Sequence, residues 1–489
     1  MLNWIESRTG FISMTKDFLT EDIPGGASYW YVFGSATIFA MILQIVTGIF
    51  LTFFYAPSAS TAWESTEAIY KNPFTHTLLS IHYWGASAMI ALVFLHLLQV
   101  LIWGAYKSPR ELQWIVGVIL FVVTLVLGLT GYLLPWDMDA YFASQVSLNI
   151  AGLPPGGAIL QSIAQGGPTM GTDTINRFFG LHVWLMPAAL VALTGAHLAI
   201  FRWNGPAGPV TDNPREGKPG RFWPDQMFMD GVASLVVFLI IVALAFFAPP
   251  FLDAKADPNN ASFIPYPAWY FLFLFGLLNI VPIFLGNGPF PELLAAIIVP
   301  TIGLLIVLGL PWIDRSTTRS FAARKGILWT TVVVLIAIVG LSIYAQIGIQ
   351  QKIVASGAPQ KTQQQIFDEF DSVEAAASAP AAAANPALDA GKAVYTNNCT
   401  GCHGANGMGQ AGVAPPLAGN SFVTGDPSKV VGVLLNGLHG QTIMGQSYSA
   451  PMPAWKGTLS NKDIANVITY IRGGLGSNKA SEVKESDIK

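Results

Sequence analysis

Residues 77–105 read TLLSIHYWGASAMIALVFLHLLQVLIWGA, and residues 179–202 read FGLHVWLMPAALVALTGAHLAIFR. Each is apolar over a length that crosses a bilayer core of roughly 30 Å at about 1.5 Å per residue. Each also carries two histidines, His82 and His96 in the first and His182 and His197 in the second. An ionisable ring in hydrocarbon is costly and marks a functional position. His82 and His96 are fourteen residues apart, close to four helical turns, so their rings share one face. His182 and His197 are fifteen apart, about one helical step off that register. Either pair spans roughly 21–22 Å. One such histidine alone would read as a hydrogen-bonded core residue; four at this spacing do not. Two such helices side by side would hold two haems, one toward each membrane face, each iron gripped by a histidine from each helix. The pattern is that of an electron path across a membrane.

Composition agrees. Of 489 residues, 52% are hydrophobic and 11% charged, against about 25% charged in a soluble domain. A soluble helical bundle would need polar helix faces that are missing here. Seven apolar stretches are long enough to span, near 30–54, 77–105, 114–134, 179–202, 229–248, 292–312 and 326–348. An eighth run, 268–285, is short and broken by Pro282, which reads as an interfacial or re-entrant helix. Residues 1–29 lack the layout of a signal peptide and read as an interfacial segment. The fold class is therefore all-α, a seven-span bundle. The net charge of −3 favours no partner, and no basic tract points to nucleic acid.

Charge sets an orientation. The loops after the second, fourth and sixth spans carry Lys107 and Arg110, then Arg202, Arg215, Lys218 and Arg221, then Arg315, Arg319, Arg324 and Lys325. The intervening loops carry little beyond Lys71, Arg177 and Lys255. The positive-inside rule puts the first set and the N-terminus in the cytoplasm. Seven spans then send the C-terminus to the outer side of a bacterial inner membrane.

After the last span, residues 351–387 are rich in Ala, Gln, Ser and Pro and read as a semi-flexible linker. Residues 388–476 read as a small globular domain and 477–489 as a polar tail. Within the domain, Cys399-Thr400-Gly401-Cys402-His403 is the c-type haem attachment pattern. The two thiols would form thioethers with the haem, and His403 would be the proximal ligand. A zinc site would need two more ligands, and the chain has no other cysteine. A methionine is expected as sixth ligand, since it raises the potential of such a haem. Met408, Met444 and Met452 are candidates, with His439 as a bis-histidine alternative. Met452, in Pro451-Met452-Pro453 before a final helix at 461–472, is the expected ligand; the segment resembles the distal loop of small class I cytochromes c.

Four glycines reinforce the histidines. Gly34 and Gly48 on the first span, and Gly117 and Gly131 on the third, repeat at the interval of His82 and His96. Mid-helix glycine costs about 1 kcal/mol in water. It makes sense where a flat macrocycle approaches the backbone, the alternative being ordinary small-residue helix packing.

With LQIVTGIFLTFFY, PRELQWIVGVIL, GLTGYLLPWD and the two histidine pairs in view, residues 10–350 resemble the cytochrome b family of quinol-oxidising cytochrome bc complexes. The likeness is to the chloroplast-type version, usually split into a four-helix and a three-helix polypeptide. Here 30–205 and 206–350 would be those parts joined, with the cytochrome c fused behind. The resemblance implies that His82 and His182 hold the outer haem b and that His96 and His197 hold the cytoplasmic one. It places quinol oxidation at Pro267-Ala268-Trp269-Tyr270, with Gly131–Asp137 and the helix after it as the other wall. The family has a carboxylate where Ala268 stands, so the proton acceptor is open among Tyr270, Tyr266, Asp257 and Asp253. The family arginine before the first histidine is replaced by Leu79. The family's cysteine for an extra covalent haem is replaced by Val32. Arg202 matches a basic residue near the cytoplasmic quinone pocket, with Asp22 a weaker candidate there.

The resemblance implies the core redox subunit of a quinol:cytochrome c-type oxidoreductase, holding two haems b and one haem c. Quinol would be oxidised near the outer face. One electron would go to a Rieske iron–sulfur protein on a separate chain, and the other to a quinone near the cytoplasm, with proton translocation. The fused cytochrome c would receive the Rieske electron or pass it onward. A homodimer is expected. The rival reading is a di-haem anchor linking the quinone pool to another catalytic subunit without bifurcation. A third is a membrane tether that only displays a cytochrome c.

Overall fold

The computed structural model describes residues 2–488 apart from 168, 209, 211–219, 261, 262, 317, 358–360, 379–384, 411, 412, 439–441, 444, 445, 449 and 450. Arg215, Lys218, His439 and Met444 therefore lie outside the described residues.

Among the described residues, seven helices are long and apolar enough to cross a membrane: Tyr29–Thr52, Pro73–Ile102, Glu111–Tyr132, Thr172–Asn204, Phe222–Phe247, Pro289–Ile313 and Lys325–Ser356. The chain is a multi-pass membrane protein with an all-α fold. The helix Trp269–Leu285 is too short to join them and packs on the seventh span. Local chemistry marks the span ends. Asn72 caps the second span by accepting from the Phe74 and Thr75 amides, with Pro73 in the first turn. Ser28 caps the turn Tyr29–Tyr31, whose aromatic rings suit a membrane interface. Ala40, Met89 and Leu190 form the apolar centre of the first, second and fourth spans. Large apolar side chains on the outside, such as Phe246, Val333 and Ile336, are exposed as a lipid-facing surface requires.

Residues 1–29 form two short helices, Leu2–Thr9 and Phe11–Leu19. The strand Asp22–Ile23 then pairs antiparallel with Gly220–Arg221, before the fifth span. The N-terminal segment and the loop after the fourth span thus share one side. On that side Asp314 sits in a buried latch. It accepts from Tyr106 Oη at 2.5 Å and Arg324 Nε at 2.9 Å, with Lys107 Nζ at 2.9 Å.

At the opposite end the loops after the odd-numbered spans interlock. Met138 donates to the Ala254 carbonyl at 2.9 Å, and Ala256 to that of Trp136 at 3.1 Å. Trp63 Nε1 donates to the Asp253 carbonyl at 2.8 Å, and Lys255 pairs with Glu64. One expectation changes here. Residues 351–387, read as a linker, carry the helix Gln363–Ser378. Ile366 and Phe367 are buried against Trp63 and Leu252, and Gln363 bonds the Leu252 amide and carbonyl. The alanine- and glutamine-rich composition masks an apolar face made of Ile366, Phe367 and Phe370.

The chain divides into two compact units, Met1–Phe370 and Asp371–Lys489. In the second, the helix Pro386–Asn398 crosses Asn461–Gly473. Gly391 lies against the Asn466 carbonyl, where no Cβ would fit. Tyr395, Leu434, Ile464 and Ile468 form its core. The tail 477–489 is not merely polar, because Val483 and Ile488 are buried in that same core, and the Val483 amide donates to Thr469 Oγ1 at 3.0 Å.

Candidate functional site

The four histidines fall into two cross-helix pairs. His82 and His182 face each other with ring centres 6.2 Å apart and planes at 78°. A metal–imidazole bond is roughly 2.0–2.1 Å, so two rings ligating one ion from opposite sides have centres about 6 Å apart. His96 and His197 are close enough to interact electrostatically. The extra residue between His182 and His197 is taken up by a π-turn, Leu181–Leu185, which contains His182. A π-turn adds one residue to a helix without advancing its face, so a fifteen-residue interval does the work of fourteen.

Tautomers follow from the hydrogen bonds. His182 Nδ1 lies 3.1 Å from the Leu127 carbonyl. A carbonyl only accepts, so Nδ1 carries the proton and Nε2 keeps the lone pair a metal needs. His82 Nδ1 lies 2.9 Å from Thr47 Oγ1. That hydroxyl already donates to the Leu43 carbonyl at 2.7 Å, so it accepts from His82, with the same result. Thr130 Oγ1 stands 3.3 Å from His182 Nδ1 and donates to Val126. Sequence reasoning missed Thr47 and Thr130. The available signal was the repeated Thr-Gly pair, Thr47-Gly48 and Thr130-Gly131.

Each of the four glycines faces one of the four histidines. A Cβ at Gly48 would come 3.2 Å from His82 Cε1, and at Gly34 3.4 Å from His96 Cε1. On the third span, Gly117 would meet His197 Cε1 at 3.3 Å and Gly131 would meet His182 Cε1 at 2.5 Å. What each glycine clears directly is therefore an imidazole ring. The four rings stand in cradles that a side chain would fill, which fits two bis-histidine haems.

In the second unit, His403, 7% exposed, lines a largely apolar cavity. Cys399, Leu434, Met452, Trp455 and Ile471 are among its lining. His403 Nδ1 is 2.9 Å from the Pro415 carbonyl, again leaving Nε2 for a metal. Burial lowers the proton affinity of His403, partly offset by that bond. Met452 is held by paired backbone bonds with Leu438 at 2.9 and 3.1 Å. Met408 is exposed. The cavity, the two thiols and the neutral histidine fit a covalent haem.

The Pro267–Tyr270 stretch opens the short helix. Pro267 is buried, Ala268 precedes the turn Trp269–Phe271, and Trp269 Nε1 donates to Ser87 Oγ at 3.3 Å. The Tyr270 hydroxyl packs against Gly128, where a Cβ would come within 2.6 Å. Opposite is the helix Met138–Gly152, capped by Asp137. The chain turns into it through Trp136, whose φ of 54° is strained for a tryptophan. Arg202 pairs with Glu21.

Comparison with known proteins follows this geometry. Residues 87–255 match the family described as cytochrome b(N-terminal)/b6/petB, and 255–359 its C-terminal counterpart, cytochrome b(C-terminal)/b6/petD. A cytochrome b subunit of a cytochrome bc complex from Chlorobaculum thiosulfatiphilum is 34% identical over 65% of this chain and 74% of that protein. The chain belongs to the cytochrome b family of bc complexes. This cytochrome b is also 40% identical, over 43% of its length and 98% of the relative, to the menaquinol:cytochrome c reductase cytochrome b subunit of Geobacillus thermodenitrificans. Residues 386–471 match the family described as cytochrome C oxidase, cbb3-type, subunit III, so a cytochrome c domain is fused behind the cytochrome b. A solved structure titled hyperthermophilic respiratory Complex III aligns with a TM-score of 0.63 and 26% identity, over 76% of this chain and 97% of that one.

Proposed function

We propose that this cytochrome b is the core redox subunit of a bifurcating quinol:cytochrome c-type oxidoreductase in a bacterial inner membrane. The observation that carries this reading is the stacking of two histidine pairs along one bundle, with a covalent haem site in the same chain. When bound, haem at each of these sites supplies one-electron redox chemistry. His82 and His182 would hold the outer group, and His96 and His197 the cytoplasmic one. Cys399, Cys402, His403 and Met452 would hold the third.

The chain's own residues orient and insulate. Thr47, Thr130 and the Leu127 carbonyl keep the Nε2 atoms of the outer pair free. The glycines let the rings sit between helices, and the Pro415 carbonyl does for His403 what Leu127 does for His182. Quinol binds between Pro267–Tyr270 and the helix Met138–Gly152, on the side reached after the odd-numbered spans, which the loop charges place outside. One of its electrons goes to a Rieske protein on a separate chain and then to the fused cytochrome c or a later acceptor. The other crosses to a quinone near the cytoplasmic face, where Arg202 and Glu21 lie. Protons leave outside and enter inside. The name of the Geobacillus relative supports menaquinol as the donor. The complex is expected to be a homodimer.

A redox titration of the purified protein, with haems b and c quantified, tests this. Two b haems of separated potential per c haem support it, together with oxidant-induced, inhibitor-sensitive reduction of the b haems. A single b haem defeats it. Two b haems without oxidant-induced reduction favour the simple quinone-linked anchor.

A further inference from the structure

The quinol site lacks a carboxylate at Ala268, yet a carboxylate faces it from the other wall. Asp139 lies in the first turn of Met138–Gly152 and is 8% exposed. Its Oδ1 is buried with no hydrogen-bond partner among the described residues. The phenols of Tyr266 and Tyr132 face the same carboxyl, and Tyr266 directly precedes Pro267-Ala268.

The neighbouring acids are already occupied. Asp137 accepts the Ala140 amide at 2.8 Å and the Asp253 amide at 3.2 Å. Asp253 accepts the Ala254 amide at 2.7 Å. Asp257 is exposed and accepts from Asn259. The Tyr270 hydroxyl is wedged over Gly128.

We propose that Asp139 is the catalytic carboxylate that takes a proton from quinol in place of the glutamate missing at Ala268. This rests on the quinol-oxidising reading above. One quinol O–H bond breaks and its proton joins Asp139 Oδ1. The second proton leaves to the outer aqueous side. The two electrons go singly to the two acceptors named above, leaving quinone.

The charged and titratable groups facing Asp139 are Tyr266, Tyr132, Tyr83, Asp137 and Asp253. Burial pushes the Asp139 carboxyl up to about 8; the Tyr266 phenol pulls the other way, and the Asp137 and Asp253 charges add to the rise. A base so placed works near neutral pH, where an ordinary carboxylate is too weak.

The test uses the complete complex in its membrane, with menadiol as donor and reduction of the c haem as readout, from about pH 6 to about 9. The wild-type rate is expected to rise with pH through about 8. D139N is expected to lower it roughly 100-fold and to abolish that limb, with b and c haem content unchanged. Adding A268E to D139N is expected to restore the rate, with the limb moved to lower pH. A D139N rate and limb equal to wild type overturn the proposal. So does a loss that A268E does not restore. No quinol-dependent turnover by the wild-type complex defeats the quinol-oxidising reading itself; turnover with an unaltered D139N defeats only Asp139.

Discussion

Nδ1 of His82 stands 2.9 Å from the Thr47 hydroxyl on the neighbouring span, and that hydroxyl spends its own proton on Leu43. The threonine is therefore an acceptor held in place to receive the imidazole proton. Such an acceptor raises the electron density of the ring and favours the oxidised metal. T47V should raise the midpoint potential of one b haem and leave the other unmoved. It should also weaken haem retention by roughly 10–100-fold. Redox titration of the variant against wild type reads both effects.

The glycine positions make a graded steric prediction. A Cβ at Gly131 would stand 2.5 Å from His182, whereas one at Gly34 would stand 3.4 Å from His96. G131A should displace the His182 ring and lose about one b haem per chain, because a methyl has no room in a packed interior. G34A should keep both. The ratio of b to c haem in purified protein separates the two.

Met452 reaches the cavity from a loop pinned to Leu438, while Cys399, Cys402 and His403 come from a different segment. M452A should therefore keep covalent haem c and lower its potential, since a methionine ligand raises it. The methionine-to-iron charge-transfer band should vanish. An unchanged band would remove Met452 from the ligand set.

The Asp314 latch makes a stability prediction. Burial pushes its carboxyl up, but hydrogen bonds from Ser316, Tyr106, Lys107 and Arg324 outweigh this and hold it well below the usual range. A depressed folded value means the stabilisation is full above the unfolded value of about 3.9 and is lost as pH falls below it. D314N should cost about 3–5 kcal/mol at neutral pH by leaving Arg324 buried without its partner. Thermal unfolding in detergent should show the loss at pH 7 and a difference from wild type that narrows as the pH falls below about 3.9.

The spans were readable because hydrocarbon tolerates little but apolar helix, and the haem-attachment pattern because Cys399–His403 is contiguous. Other features leave weaker marks. The π-turn at Leu181–Leu185 is a shift of hydrogen-bond partner with no compositional trace. Asp139 meets Tyr266 only through the fold, more than a hundred residues along the chain. Gln363–Ser378 and the tail hold few apolar residues, and those few, Ile366, Phe367, Val483 and Ile488, take their role from neighbours that the local pattern does not reveal.

The docking of Ile366 and Phe367 onto Trp63 and Leu252 also fixes the side from which the chain leaves the membrane unit. The helix that carries them runs on to Ser378, so much of the stretch expected to be a semi-flexible linker is helix rooted on the membrane unit. Its root is fastened to the same loops that carry Asp253 and Lys255. Fusion through that helix also fixes the stoichiometry, one cytochrome c domain made with every cytochrome b.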